Sequence, residues 1–312
     1  MNKEIKELIK RLPLAKLFIN LFLYPTVKVK KLSKKIDRLF SDLSSSIEIF
    51  NKTPKIPNLI ISLTSFPARM KFIEFTIFSL IKQTIRPEKI VLWLSEKEFI
   101  NKENDVSDNL YKYKQFGLEI KFAEDNFRSY NKLIFSIKEY SNFIIVTADD
   151  DVCYKPNWLK LLYSTHMLFP QDIISNKIRR ITFSNKQIDP YLTLKNRPSG
   201  ASFLNILLGY SGVLYPPDKL YKDLFDSHLF LELCPYADDI WFFVMALLAN
   251  TKIRKPNYFF RRISSFDYQL SNEWKKIPEL MKVNWIENRN DNQLKAVLKY
   301  YDLYDHFFIN YA

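Results

Sequence analysis

Three consecutive aspartates, Asp149, Asp150 and Asp151, interrupt the stretch FIIVTADDDVCY from Phe143 to Tyr154. Ile144, Ile145 and Val146 read as a buried strand, which puts the carboxylates at its carboxyl end, where open α/β sheets bind ligands. Three adjacent carboxylates repel one another and are costly to desolvate. A hard divalent cation bound through oxygen is the simplest compensation. The plainer reading is an acidic turn after a strand, because Asp favours turns. A second acidic pair, Asp238 and Asp239 in YADDIWF, opens an apolar segment. Carboxylates there stabilise a helix amino terminus, and one of them could serve as a general base.

Three further segments carry side chains or backbone suited to a ligand. TSFPAR brings Thr64, Ser65, Phe66 and Arg69 after an apolar run. Hydroxyls, a ring and a guanidinium suit a nucleotide base and a phosphate, although a simple strand-to-helix turn has the same composition. DNFRSYNK places Asp125, Arg128 and Lys132 at the entrance of a helix, a position that attracts anions such as a diphosphate; a solvated basic turn is the alternative. GYSGVLYPP contains Gly209, Tyr210, Ser211 and Gly212. The chain has only 4 glycines, and Gly200, Gly209 and Gly212 fall within 13 residues. Glycine used so sparingly marks positive φ or a close approach, either of a ligand or in a plain turn. The histidines, His166, His228 and His306, form no pattern that assigns them a role.

These segments need elements to hold them. Leu59 to Leu63, Ile90 to Leu94, Leu118 to Phe122 and Phe143 to Thr147 read as strands. Arg69 to Gln83 and Asn131 to Tyr140 read as helices, and Pro156 is expected to start another that runs to about Phe169. Such alternation predicts a mostly parallel α/β sheet with helices on its faces. Ile181 to Ser184 and Gly212 to Tyr215 are expected strands. Asp238 to Ala249 and Asn292 to Asp305 are expected helices. The prolines of KTPKIPN, Lys52 to Asn58, suggest a linker. Three regions follow: a basic amphipathic arm over 1–52, the α/β domain over 53–270 and a helical tail over 271–312.

The 312 residues are 47% hydrophobic and 16% aromatic, enough for a large core. Cys153 and Cys234 show neither metal-ligand spacing nor a disulfide framework, which fits a reducing compartment. The net charge is +13, and residues 1–52 contribute +7 of it, from 12 basic and 5 acidic residues. The apolar run Leu14–Tyr24 between Pro13 and Pro25 is 11 residues long, against about 20 for a membrane span. Basic residues around it suit an interfacial anchor on an anionic membrane surface, or a helix packed on protein. No nucleic-acid motif accompanies the charge, so nucleic acid is not an expected partner.

The ordered set ISLTSFPAR, IVLWLSE, SYNKLI, VTADDDVCY, GYSGVLYPP and YADDIWF, over roughly residues 57–263, resembles bacterial nucleotide-sugar glycosyltransferases of the GT-A fold, most closely family-2-type enzymes of capsule or lipopolysaccharide assembly. The resemblance implies a Rossmann-like sheet. It implies transfer from a nucleotide-diphosphate sugar, with a UDP-sugar favoured, to a glycan or glycolipid acceptor. TADDD is similar to the Asp-any-Asp motif that holds Mn²⁺ or Mg²⁺ on the diphosphate. That match makes Asp151 the direct ligand and places Asp149 and Asp150 at the ribose, the donor sugar or a second metal position. By the same resemblance Asp239 is the base of an inverting reaction, with Asp238 beside it where the family often has Glu. The glycine loop would line the donor-sugar and acceptor pocket. Cytoplasmic placement on the inner face of the cell membrane is the corresponding expectation. A nucleotidyltransferase would need a glycine-rich basic loop after the first strand, and LTSFPARM has no glycine. A non-catalytic membrane-surface scaffold would not need the complete set of acidic motifs.

Overall fold

The computed structural model describes residues 29–185, 187–196, 198–257, 266–268 and 289–304. Its main sheet contains β1 (Leu59–Thr64), β2 (Lys89–Ser95), β3 (Leu118–Ala123), β4 (Ile144–Thr147), β5 (Ile173–Ser175), β6 (Gly200–Ser202), β7 (Val213–Tyr215) and β8 (Ile253–Lys255). The spatial order is β6-β8-β5-β7-β4-β1-β2-β3. β3, β2, β1 and β4 run parallel, as do β5 and β8, while β7 lies antiparallel between β4 and β5. This is a Rossmann-like, mostly parallel α/β architecture, as the strand–helix alternation predicts.

The principal helices are α1 (Val29–Ser41), α2 (Leu43–Lys52), α3 (Met70–Ile81), α4 (Asn131–Glu139), α5 (Trp158–Leu168), α6 (Asp238–Leu248) and α7 (Arg289–Tyr300). Successive strand side chains point to opposite faces, and the core divides accordingly. Leu59, Ile61, Leu63 and Val146 pack with α1, α3 and α5, whereas Ile60 and Ile145 pack with α4, α6 and α7. Both faces are covered, so the central strands are apolar without alternation.

α1 buries Leu32, Ile36 and Leu39, one helical stripe, and Phe40 meets Tyr113 edge-on at 5.0 Å. Residues 29–52 therefore pack on the domain; the apolar run Leu14–Tyr24 lies outside the described residues. The segment Lys52–Asn58 is tied down rather than loose, since Ile56 N–H donates to the Arg86 carbonyl and Arg86 N–H to that of Pro54. α7 buries Leu294, Val297 and Leu298 in the core shared with α6. Among the described residues no helix is long and apolar enough to cross a membrane.

Two expectations are corrected. Pro156 does not open α5: its carbonyl accepts the Thr84 N–H at 2.8 Å instead of a helical donor, and the helix begins at Trp158. Ile181 to Ser184 is not one strand. Ile181 N–H donates to Leu204, ending the strand Ile178–Arg180, and Phe183–Ser184 then forms a separate hairpin with Gln187–Ile188.

Candidate active site

β4 ends at Thr147, and Ala148 to Asp151 turn at the carboxyl edge of the sheet before the short strand Val152–Tyr154. The three aspartates diverge. Asp150 points inward and is 3% exposed. Its Oδ2 accepts the Ser65 hydroxyl at 2.6 Å, its Oδ1 takes Arg69 Nη1 at 2.5 Å, and its backbone carbonyl accepts the Thr76 hydroxyl at 2.8 Å. Arg69 also lies 3.5 Å from Asp151 Oδ2. Asp149 turns the other way, to Lys132 Nζ at 2.7 Å. Its N–H donates to the Tyr154 hydroxyl at 2.8 Å, which in turn donates to the Tyr210 carbonyl at 3.3 Å.

Part of the positive charge expected beside the aspartates thus comes from the chain itself. Burial opposes the Arg69 charge, but Asp150 and Asp151 outweigh it and hold the guanidinium above its ordinary value. Lys132 is almost fully buried. Burial again opposes its charge, and Asp149, Asp238 and Asp239 reverse the effect, so the amine stays an ammonium.

Asp149 and Asp151 keep part of their side chains exposed, at 26% and 24%. A Mg²⁺-like ion shared with substrate phosphates needs only one or two protein carboxylates, and this pair supplies that number. Both Asp150 oxygens are already engaged. No three His, Cys, Asp or Glu side chains converge as a complete cage among the described residues. The donor set fits an ion shared with a bound diphosphate and does not fit a closed structural site.

α6 delivers the second acidic pair to the same place. Lys132 Nζ lies 3.3 Å from Asp238 Oδ2, so a single ammonium joins the turn after β4 to the start of α6. Asp239 is half-buried, and its Oδ1 accepts the Gly209 N–H at 2.9 Å. Burial and the Asp238 charge push the Asp239 carboxyl well above its ordinary value, against the pull of Lys132 and Gly209. Ile240 and Trp241 to Ala246 are all buried, which anchors the helix.

The glycine loop owes its composition to close packing. A Cβ on Gly209 would stand 2.7 Å from Asp239 Oδ1. Gly212 has φ of +88°, and a Cβ there would stand 2.3 Å from Trp158 Cζ2. Trp158 Nε1 donates to the Ser211 carbonyl at 2.9 Å, and the Ser211 hydroxyl accepts the Lys177 N–H. Gly212 therefore makes room for an indole of the protein.

The structure brings Ser65, Arg69, Lys132, Asp149, Asp150, Asp151, Gly209, Asp238 and Asp239 into one contact network. Thr64 donates its hydroxyl to the Trp93 carbonyl within the sheet, and Phe66 lies 5.1 Å from the Arg69 guanidinium. Asp125 pairs with Lys97 on the surface, and Arg128 is exposed and laid over Tyr236. Lys132, expected to face a diphosphate, is instead enclosed by carboxylates. His166 is buried with Nδ1 unpartnered, His228 is exposed, and His306 lies outside the described residues. Cys153 and Cys234 are both buried thiols. Sequence reasoning missed Thr76, Tyr154 and Trp158. Tyr154 stands inside the quoted motif, yet no spacing marks its hydroxyl as the link between Asp149 and the glycine loop.

No family model and no curated protein matches the chain. It is similar to solved structures of S. aureus TarS. TarS 1-349 has 14% identity over 77% of this chain and 70% of that one, with a TM-score of 0.43. TarS 1-349 in complex with UDP has 16% identity over 68% and 60%, with a TM-score of 0.42. Its complex with UDP-GlcNAc has 15% identity over 41% and 35%, with a TM-score of 0.30. This chain thus spans between 35% and 70% of those structures.

Proposed function

We propose that this chain is an inverting, metal-dependent glycosyltransferase that moves a sugar from a nucleotide-diphosphate donor, in the first instance a UDP-sugar, to a glycan or glycolipid acceptor in cell-surface polysaccharide synthesis. The observation that carries this reading is Lys132. One buried ammonium holds Asp149, at the end of β4, and Asp238, at the start of α6, at one edge of the sheet. Donor-side and acceptor-side carboxylates are thereby fixed relative to each other, as single displacement requires.

The roles follow from the contacts. Asp150, locked by Ser65 and Arg69, sets the turn that aims its neighbours. Asp151 and Asp149 are the residues that would hold Mn²⁺ or Mg²⁺, which when bound supplies charge stabilisation for the departing diphosphate. Asp239 is the base. Gly209 engages its Oδ1, so Oδ2 takes the proton of the acceptor hydroxyl. A carboxylate with a raised pKa is the better base near neutral pH. Attack from the Asp239 side, opposite the leaving diphosphate, inverts the anomeric carbon.

A donor screen tests the reading. UDP-sugars and other nucleotide sugars are incubated with the chain and Mn²⁺, and free nucleotide diphosphate is measured. Release with one sugar, abolished by EDTA, is expected. Full turnover in excess EDTA would overturn the metal assignment, and a product with retained anomeric configuration would overturn single displacement.

A further inference from the structure

We propose that the acceptor is acidic, and that Arg128 and Arg179, each beside a tyrosine ring near the start of α6, receive a phosphate or carboxylate group carried on its glycan. The inference rests on the glycosyltransferase reading and names the acceptor class for that site.

Tyr236 stands two residues before Asp238, and the Arg128 and Arg289 guanidinium carbons each lie 4.9 Å from its ring centroid. Arg179 lies 5.0 Å from the ring of Tyr191. The strand that carries Arg179 pairs with Asn205–Leu207, which leads directly into the Gly209 loop that holds Asp239. Both tyrosines are fixed from behind by α7: Tyr191 N–H donates to Asp291 Oδ1 at 2.6 Å and Tyr236 N–H to Gln293 Oε1 at 2.8 Å. On the loop that holds Asp239, Lys177 lies 5.1 Å from the ring of Tyr210. Arg179 Nη1 also donates to the Tyr191 carbonyl at 2.7 Å. A guanidinium held beside a ring is restricted in its motion, and its remaining N–H groups suit binding of phosphate or carboxylate.

Among the described residues the ion pairs of the aspartate cluster come from Arg69 and Lys132, not from Arg128 or Arg179. Among the described residues neither Arg128 nor Arg179 has an acidic partner within 4 Å. Arg128 also holds the left-handed backbone region, with φ of +58°. That conformation is costly for a residue other than glycine, and such strain clusters at ligand clamps. Asp149, Asp238 and Asp239 would repel an anionic acceptor on approach. A rim of fixed cations offsets that repulsion, and a neutral glycan would have no need of it.

The test is binding of matched oligosaccharides to the full chain by calorimetry, with and without UDP and Mn²⁺. The probes are a malto-oligosaccharide, an oligogalacturonate and a phosphorylated malto-oligosaccharide of equal length. An acidic probe is expected to bind at least about tenfold tighter than the neutral one, with affinity falling as salt rises. The two acidic probes separate carboxylate from phosphate. Arg128→Gln combined with Arg179→Gln, with an unchanged melting temperature, is expected to remove that advantage and leave UDP affinity intact. Equal binding of neutral and acidic probes would overturn the proposal. Loss of UDP affinity in the double variant would overturn it too, by assigning these cations to the donor. Absence of UDP binding by the unsubstituted chain would count against the donor reading alone, because the arms without UDP still compare acidic with neutral probes.

Discussion

Asp150 and Asp151 are adjacent in sequence, yet their surroundings give their substitutions different consequences. Asp150 neutralises a buried guanidinium, and removing one partner of a buried pair costs about 3–5 kcal/mol. Asp150→Ala is therefore expected to lower the melting temperature sharply in thermal denaturation. Asp151 is partly exposed, so Asp151→Asn should stay folded and lose metal-dependent donor binding, read by calorimetry with a UDP-sugar and Mn²⁺. At the base, Asp239→Asn should lower turnover by about 10²–10⁴-fold with donor affinity retained. The groups facing Asp239 set the pH response: Asp238 and Asp149 raise its pKa, while Lys132 and the Gly209 N–H lower it. The base works ionised, so the rate falls as pH drops through a value above the ordinary carboxylate range. Removing the Lys132 charge raises that value further. In Lys132→Met the acid limb of the pH–rate profile should move to higher pH, and an unmoved limb would contradict the arrangement.

The elements that carry the site were the legible ones. β1 to β4, α3, α4 and α6 are long enough for apolar periodicity to reveal them, and the aspartates mark the end of one and the start of another. The short strands between Ile173 and Leu207 were mostly hidden, because pieces of 2 or 3 residues hold too few alternations of the two-residue strand pattern to stand out. The partition of the three aspartates was also hidden. It depends on Ser65, Arg69 and Thr76, which lie 74 to 85 positions away. The glycine loop was found through glycine scarcity, but its cause, the Trp158 indole against Gly212, is a tertiary contact with no local signal. Gly212→Ala places a methyl group into that ring and strains a positive φ. It should destabilise the fold by about 1–3 kcal/mol, measured by urea denaturation, and Trp158 fluorescence should report the displacement.

Across the whole molecule, charge and packing divide the amino-terminal arm. α1 buries Leu32, Ile36 and Leu39 and belongs to the domain, while residues 1–28 carry 6 basic and 2 acidic residues around an apolar run. Deleting 1–28 is expected to abolish sedimentation with anionic liposomes. Undiminished sedimentation would rule out this segment as the tether. α7 closes the other end of the chain over α6, and its Asp291 and Gln293 hold Tyr191 and Tyr236, so the tail helps to shape the site. Lys132 extends this interdependence into descent. One ammonium answers to Asp149 and Asp238, 89 positions apart, so mutational drift cannot change any of the three independently. In a lineage where Lys132 is replaced by an uncharged residue, one of the two acids should be replaced as well. Lineages that keep both acids should keep a cation at that position or bring one in from a neighbouring strand.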